Sequence, residues 1–147
     1  MIQKPINFKK DLNSRFSDAL CIGDFIFLSA QLPLDPETGT LICEDFKEQA
    51  RQCFRNIKAL LQRCDLPLNY VLQITVYLTE MDRLEDLDDV YAEFLVEPLP
   101  TRTVVGAASL PFGAKIQIEA YCIDCRALEV LCAGEKEECC DGSVCEL

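Results

Sequence analysis

Hydrophobic positions along this chain repeat with two different periods. Between Glu44 and Cys64, the residues Phe46, Ala50, Cys53, Ile57, Leu60 and Cys64 recur at spacings of three and four. That spacing puts them on one apolar stripe of an α-helix. Asp45, with Glu48 three residues later, is a start signal, and Asp65-Leu66-Pro67 is a stop. Cys53 and Cys64 fall on the stripe and read as small core residues. A second helix is predicted over 83–96, striped by Leu84, Leu87, Val90 or Tyr91, and Phe94. Asp82 and Glu85 stand at its start, and Pro98 and Pro100 close it.

The other period is two. From Tyr70 to Thr79, Ile74, Val76 and Leu78 alternate with Thr75, Tyr77 and Thr79. From Lys115 to Cys122, Ile116, Ile118, Ala120 and Cys122 alternate with Lys115, Gln117, Glu119 and Tyr121. Both runs read as strands with one buried face. Thr101 to Gly106 is a shorter β-branched strand, separated from the last one by the breakers Leu110-Pro111-Phe112-Gly113. Nearer the start, 16–22 reads as a strand, Gly23-Asp24 as a hairpin turn, and Phe25 to Ala30 as a strand apolar on both faces. Gln31 to Gly39, with two prolines and a glycine, reads as a loop. Met1 to Ser14 shows no clear period.

The resulting order is ββαβαββ, an α+β chain in which one sheet is covered on one face by two helices. The other face still carries Phe, Val, Ile and Tyr side chains. A second subunit is the simplest cover for it.

Composition narrows the function. At 147 residues and half hydrophobic, the chain suits one globular domain. No apolar run approaches a membrane span and the N-terminus has no signal-peptide core, so a cytoplasmic protein is expected, with no membrane partner. A net charge of −11, with 14 basic residues against 25 acidic, argues against a nucleic-acid partner. Histidine is absent. That excludes His triads and His metal ligands and leaves carboxylates, Arg, hydroxyls, thiols and water for any catalysis.

Two charges interrupt otherwise apolar or neutral strands: Arg102 and Glu119. Each alone reads most simply as solvated. Together, on strands that could share a sheet, they suggest a site. An Arg fork suits a carboxylate, and a nearby carboxylate can handle protons or water.

These stretches carry a resemblance. Pro100-Thr101-Arg102-Thr103, Leu110-Pro111 and Lys115-Ile116-Gln117-Ile118-Glu119-Ala120 resemble the signature of the RidA/YjgF family of enamine/imine deaminases. So do Gly23 to Pro33, Gln49-Ala50-Arg51-Gln52, Asn56-Ile57-Lys58-Ala59 and Thr75-Val76-Tyr77-Leu78, in the family's order, from about Phe16 to Ile123. The resemblance implies a chorismate-mutase-like fold and a homotrimer whose sheets face a central barrel, with pockets between subunits. It implies hydrolysis of 2-imino acids to 2-oxo acids and ammonia, with no cofactor. Arg102 would bind the substrate carboxylate and Glu119 would handle water. Ser29, Ala30, Gln31, Phe16 and Asp88 would complete the substrate site. Three of these depart from the family pattern: Ala30 replaces a glycine, Phe16 lacks a tyrosine's hydroxyl, and Asp88 replaces an asparagine. The departures leave a rival, a non-catalytic module that binds a small carboxylate or other metabolite in the same cleft. An RNA-directed activity, reported for relatives of this fold, is disfavoured by the acidic charge.

The resemblance divides the chain into a RidA-like domain over 1–124 and an acidic, cysteine-rich extension over 125–147. Six of the ten cysteines lie from Cys122 onward. Cys122-x-x-Cys125 resembles half of a zinc site, which Cys132, Cys139, Cys140 and Cys145 could complete. The spacing matches no standard ribbon or knuckle. A mobile acidic extension with reduced thiols is the simpler reading, and no metal is assigned.

Overall fold

The computed structural model describes residues 3–8, 15–127 and 130. Six strands form one mixed sheet: β1 (Gln3–Ile6), β2 (Ala19–Ile22), β3 (Phe25–Gln31), β4 (Val71–Leu78), β5 (Thr101–Gly106) and β6 (Ile116–Ile123). Their order across the sheet is β1-β2-β3-β6-β4-β5. β4 and β5 are parallel, joined through a helix as parallel pairs require, and the other neighbours are antiparallel.

Helix α1 (Phe46–Gln62) begins where Asp45 caps it, its carboxylate accepting the Glu48 N–H at 2.9 Å. It ends with Asp65 in the left-handed region (φ 57°) and the Leu66 N–H bonded back to the Leu61 carbonyl. That closure satisfies carbonyls the helix leaves open. Phe46, Ala50, Cys53, Ile57, Leu60 and Leu61 are buried, and so is Phe54, whose ring packs against Tyr91 and Phe94 further along the chain. Cys64, expected on the stripe, lies beyond the helix and is half-buried, its sulfur 3.9 Å from that of Cys21 on β2. Helix α2 (Leu84–Phe94) starts later than its sequence signals suggest. Asp82 sits in a 3-10 turn (Met81–Arg83), no side chain caps the helix, and Glu85 and Asp86 occupy its first turn. Arg51 holds the two helices side by side through two 2.7 Å bonds to Glu93.

Both helices lie on one face of the sheet. The buried rows beneath them are Ile26 and Leu28 on β3, Ile74, Val76 and Leu78 on β4, and Ile116, Ile118, Ala120 and Cys122 on β6. These are the rows the alternating pattern selected.

Three further expectations need correction. The first predicted strand, 16–22, is shortened to Ala19–Ile22, and Phe16 lies outside it. The segment with no period supplies an unforeseen strand, β1, paired along all of β2. β1 is too short to show a period. As an edge strand it tolerates Pro5, which cannot donate to the ladder. β3 is not buried on both faces within the chain: Phe25 is 56% exposed and Phe27 41%. They join Tyr77, Val105 and Tyr121 on the uncovered face, where the Phe27 and Tyr121 rings meet edge to face at 5.4 Å.

Candidate functional site

Strand register decides where each candidate side chain can reach. Arg102 on β5 pairs with Ile74 of β4, so it leaves the sheet on the helix side. There it meets α2. One guanidinium nitrogen, Nη1, donates to Asp88 Oδ1 at 2.5 Å, and the guanidinium carbon lies 4.9 Å from the centre of the Tyr91 ring. The ring face suits a cation. Among the described residues, the Nε and Nη2 edge of Arg102 takes no hydrogen-bond partner. Arg102 and Asp88 line a cleft of about 560 Å³ with Tyr91, Leu95, Glu97 and Leu99. The Tyr91 hydroxyl is buried there without a partner among the described residues. Burial pushes its pKa up, and the Arg102 charge opposes that shift.

A second cluster forms where β3 breaks register with β6, between Leu28 and Gln31. Two residues bulge there, Ser29 and Ala30, and the bulge re-aims the chain. Ser29 donates through its hydroxyl to the Ser17 carbonyl at 2.7 Å and through its N–H to the Asp18 carbonyl at 2.9 Å. Gln31 turns its amide back to the Ser29 carbonyl at 2.7 Å. Ala30 is not among the residues with positive φ, so its methyl group costs no backbone strain. Phe16, Ala30, Gln31, Asn56 and Phe112 line a cavity of about 620 Å³. Phe112 holds a positive φ of 61° and is 66% exposed.

Glu119 lies across the ladder from the bulge of Ser29 and Ala30, since Leu28 is opposite Ala120 and Gln31 opposite Ile118. It pairs with Thr75, one position along β4 from Ile74, and therefore leaves the opposite face of the sheet. Its carboxylate accepts hydrogen bonds from Tyr121 at 3.0 Å and Tyr77 at 3.4 Å. The same contact pushes the Tyr121 pKa up, because the phenolate would face a carboxylate.

The structure thus brings Arg102 together with Asp88, and Phe16 with Ala30 and Gln31, with Glu119 across the ladder from the bulge, but within one chain it keeps the Arg102 group apart from the group at the bulge. β6 and β4 lie between β3 and β5. Three strand spacings amount to about 14 Å. Tyr91, Glu97 and Phe112 were not singled out as site residues in the sequence. Tyr91 was visible only as an alternative member of the α2 stripe, and Glu97 and Phe112 lie in connections without a period. Of the tail cysteines, Cys125 is half-buried, and Cys132, Cys139, Cys140 and Cys145 lie outside the described residues. Among the described residues, no three metal-ligating side chains converge.

The family model described as endoribonuclease L-PSP matches residues 9–123. The chain belongs to this family, the RidA/YjgF family. A RutC family protein of Pyrococcus horikoshii is 41% identical over 105 residues, 71% of this chain and 83% of its own. The crystal structure of RidA from an Antarctic Psychrobacter superposes with a TM-score of 0.73 at 37% identity, covering 78% of this chain and 92% of that one. Escherichia coli TdcF, named as a candidate reactive intermediate deaminase, is 33% identical over 105 residues, 69% of this chain and 81% of its own. Its structure with bound serine gives a TM-score of 0.71, covering 76% of this chain and 89% of that one. These solved folds agree with the single mixed sheet and paired helices found here. No helix among the described residues is long and apolar enough to cross a membrane.

Proposed function

We propose that this protein hydrolyses 2-imino acids, or their enamine tautomers, to 2-oxo acids and ammonia. The reaction takes place in clefts between the subunits of a homotrimer. The observation that carries this reading is the open Nε and Nη2 edge of Arg102, set over the Tyr91 ring at a cleft that Leu95 and Leu99 also line. That edge matches the two oxygens of a carboxylate. A bound amino acid in the TdcF structure is consistent with such a ligand.

The chemistry then needs only a positioned water. A protonated C=N carbon is electrophilic without a metal, cofactor or covalent nucleophile. Glu119 of a neighbouring subunit would take a proton from the attacking water, and the carbinolamine would expel ammonia as its hydroxyl forms the carbonyl. Tyr77 and Tyr121 hold the Glu119 carboxylate in place for that step. Because Glu119 and Arg102 leave opposite sheet faces, the reaction requires more than one chain.

One observation favours a second reading, a carboxylate-binding module without turnover. Asp88 already occupies Nη1 of Arg102 and adds a negative charge at the substrate's position. Hydrolysis separates the two. An amino-acid oxidase supplies fresh imine, and semicarbazide traps what remains. The wild type is expected to deplete the trapped imine and Arg102→Ala to leave it at the uncatalysed level. No acceleration by an assembled wild type, with small or large side chains, selects the binding module.

A further inference from the structure

The cleft at Arg102 has the wrong charge for a simple carboxylate. Its one cation, Arg102, is outnumbered by Asp88 and Glu97, so the lining carries a net charge of −1. The chain as a whole, at −11, has the same sign. Asp88 is not fully used by its contact with Arg102. Oδ1 accepts from Nη1, and among the described residues Oδ2 takes no hydrogen bond. The Asp88 side chain lines the cleft and is 57% exposed.

The wall follows α2. Asp88, Tyr91 and Ala92, then Leu95 appear one helical turn apart, and Glu97 follows just past the helix end. Seven residues of helix cover about 10 Å. Leu95 and Leu99 make the intervening surface apolar. The cleft therefore offers, in sequence, a fork for a carboxylate, an acceptor beside it, an apolar stretch and a second carboxylate.

We propose that the Arg102 cleft selects imino acids with a positively charged side chain, those formed from basic amino acids, with Asp88 and Glu97 as the specificity-determining pair. This rests on the deaminase reading for the reaction, but not for the binding preference. The substrate carboxylate lies on the Nε and Nη2 edge of Arg102. Its protonated imine nitrogen donates to Asp88 Oδ2, and the methylene stem crosses Leu95 and Leu99 to bring the distal cation to Glu97. Such a substrate has a net charge of +1 and neutralises the cleft. An imino acid with an acidic side chain has −1 and is repelled. The departure of Asp88 from asparagine thereby acquires a role: it holds the nitrogen in its cationic form, the form that water attacks.

The test compares two stages on the full chain. Imines generated from arginine, leucine and glutamate are supplied to the wild type and to Asp88→Asn/Glu97→Gln. Arginine is chosen because its guanidinium closes onto the imine carbon less readily than the amine of lysine. The wild type is expected to favour the arginine-derived imine over the leucine-derived one by about tenfold, with the glutamate-derived one last. The double variant is expected to bring the arginine-to-leucine ratio near one. Binding of arginine and leucine themselves, followed by NMR, needs no turnover. Preference for arginine that the double variant loses, without hydrolysis of any imine, upholds the selectivity and rejects the deaminase. Hydrolysis and binding that treat arginine and leucine alike, or a ratio unchanged in the variant, overturn the selectivity and leave the deaminase standing. Neither binding nor hydrolysis overturns both.

Discussion

Arg102 and Glu119 stand on strands that flank the same central strand, β4, yet their side chains leave opposite faces of the sheet. Arg102 is in register with Ile74 and Glu119 with Thr75, and one residue of offset reverses the direction of a side chain. A site that uses both must take them from different chains. In a cyclic trimer, mixing Arg102→Ala with Glu119→Gln subunits rebuilds one intact pocket in every mixed trimer. An equal, random mixture should regain roughly a quarter of wild-type hydrolysis although neither variant is active alone. Mixtures prepared by joint refolding and assayed by imine trapping check this. Recovery no greater than the sum of the two parents would mean that the two residues serve one chain or none.

Two buried amides tie the long loop before α1 to the helix. Gln49, fully buried, donates to the Cys43 carbonyl and accepts from the Lys115 N–H, both at 2.8 Å. Asn56 donates to the carbonyls of Leu32 and Leu34 at 3.1 and 3.0 Å. Gln49→Leu leaves the half-buried Cys43 carbonyl and Lys115 N–H without this partner and should cost about 1–3 kcal/mol in urea unfolding. Asn56→Ala should cost about 1–3 kcal/mol. Because Asn56 also lines the cavity beside Ala30, hydrogen exchange at Leu32 and Leu34 should accelerate in that variant.

The start of α1 rests on a single side chain. Asp45→Ala removes the acceptor for the Glu48 N–H and should lower stability by about 1 kcal/mol, while Asp45→Asn should keep most of it. Thermal unfolding of the two variants distinguishes the cap from a general effect of charge. Equal losses in both would assign the effect to charge.

Alkaline pH should unfold the protein through its buried thiols. Burial pushes the Cys122 thiol up to about 12, and burial with the neighbouring Cys21 pushes Cys64 up to about 11, both from 9.0. Burial raises Cys53 as well. Between pH 9 and these values, the unfolded chain releases protons that the folded chain retains. Stability is therefore fully present below pH 9 and falls as pH rises, by about 1.4 kcal/mol per pH unit for each such thiol. Urea unfolding from pH 8 to 10.5 should show this slope, and Cys122→Ala should make it shallower. An identical slope in the variant would remove Cys122 as a contributor.

What the sequence alone determined was whatever repeats along the chain. The stripe from Phe46 to Leu60 and the rows Ile74-Val76-Leu78 and Ile116-Ile118-Ala120 are set by helical and strand periods. Those residues are the buried core. Asp45 and Asp65-Leu66-Pro67 act within a few residues of themselves, so both ends of α1 were readable. Strand β1 was not, since four residues carry no period and the strand it pairs with, β2, lies more than a dozen residues later. The candidate site divides in the same way. That Arg102 and Glu119 are charges set in otherwise apolar or neutral strands was legible in the sequence. That Arg102 meets Asp88 and Tyr91, while Glu119 meets Tyr77 and Tyr121, depends on strand register and on where α2 lies over the sheet. Those are set by contacts between residues far apart in the chain, where pairing of whole strands and packing of whole faces outweigh any local preference.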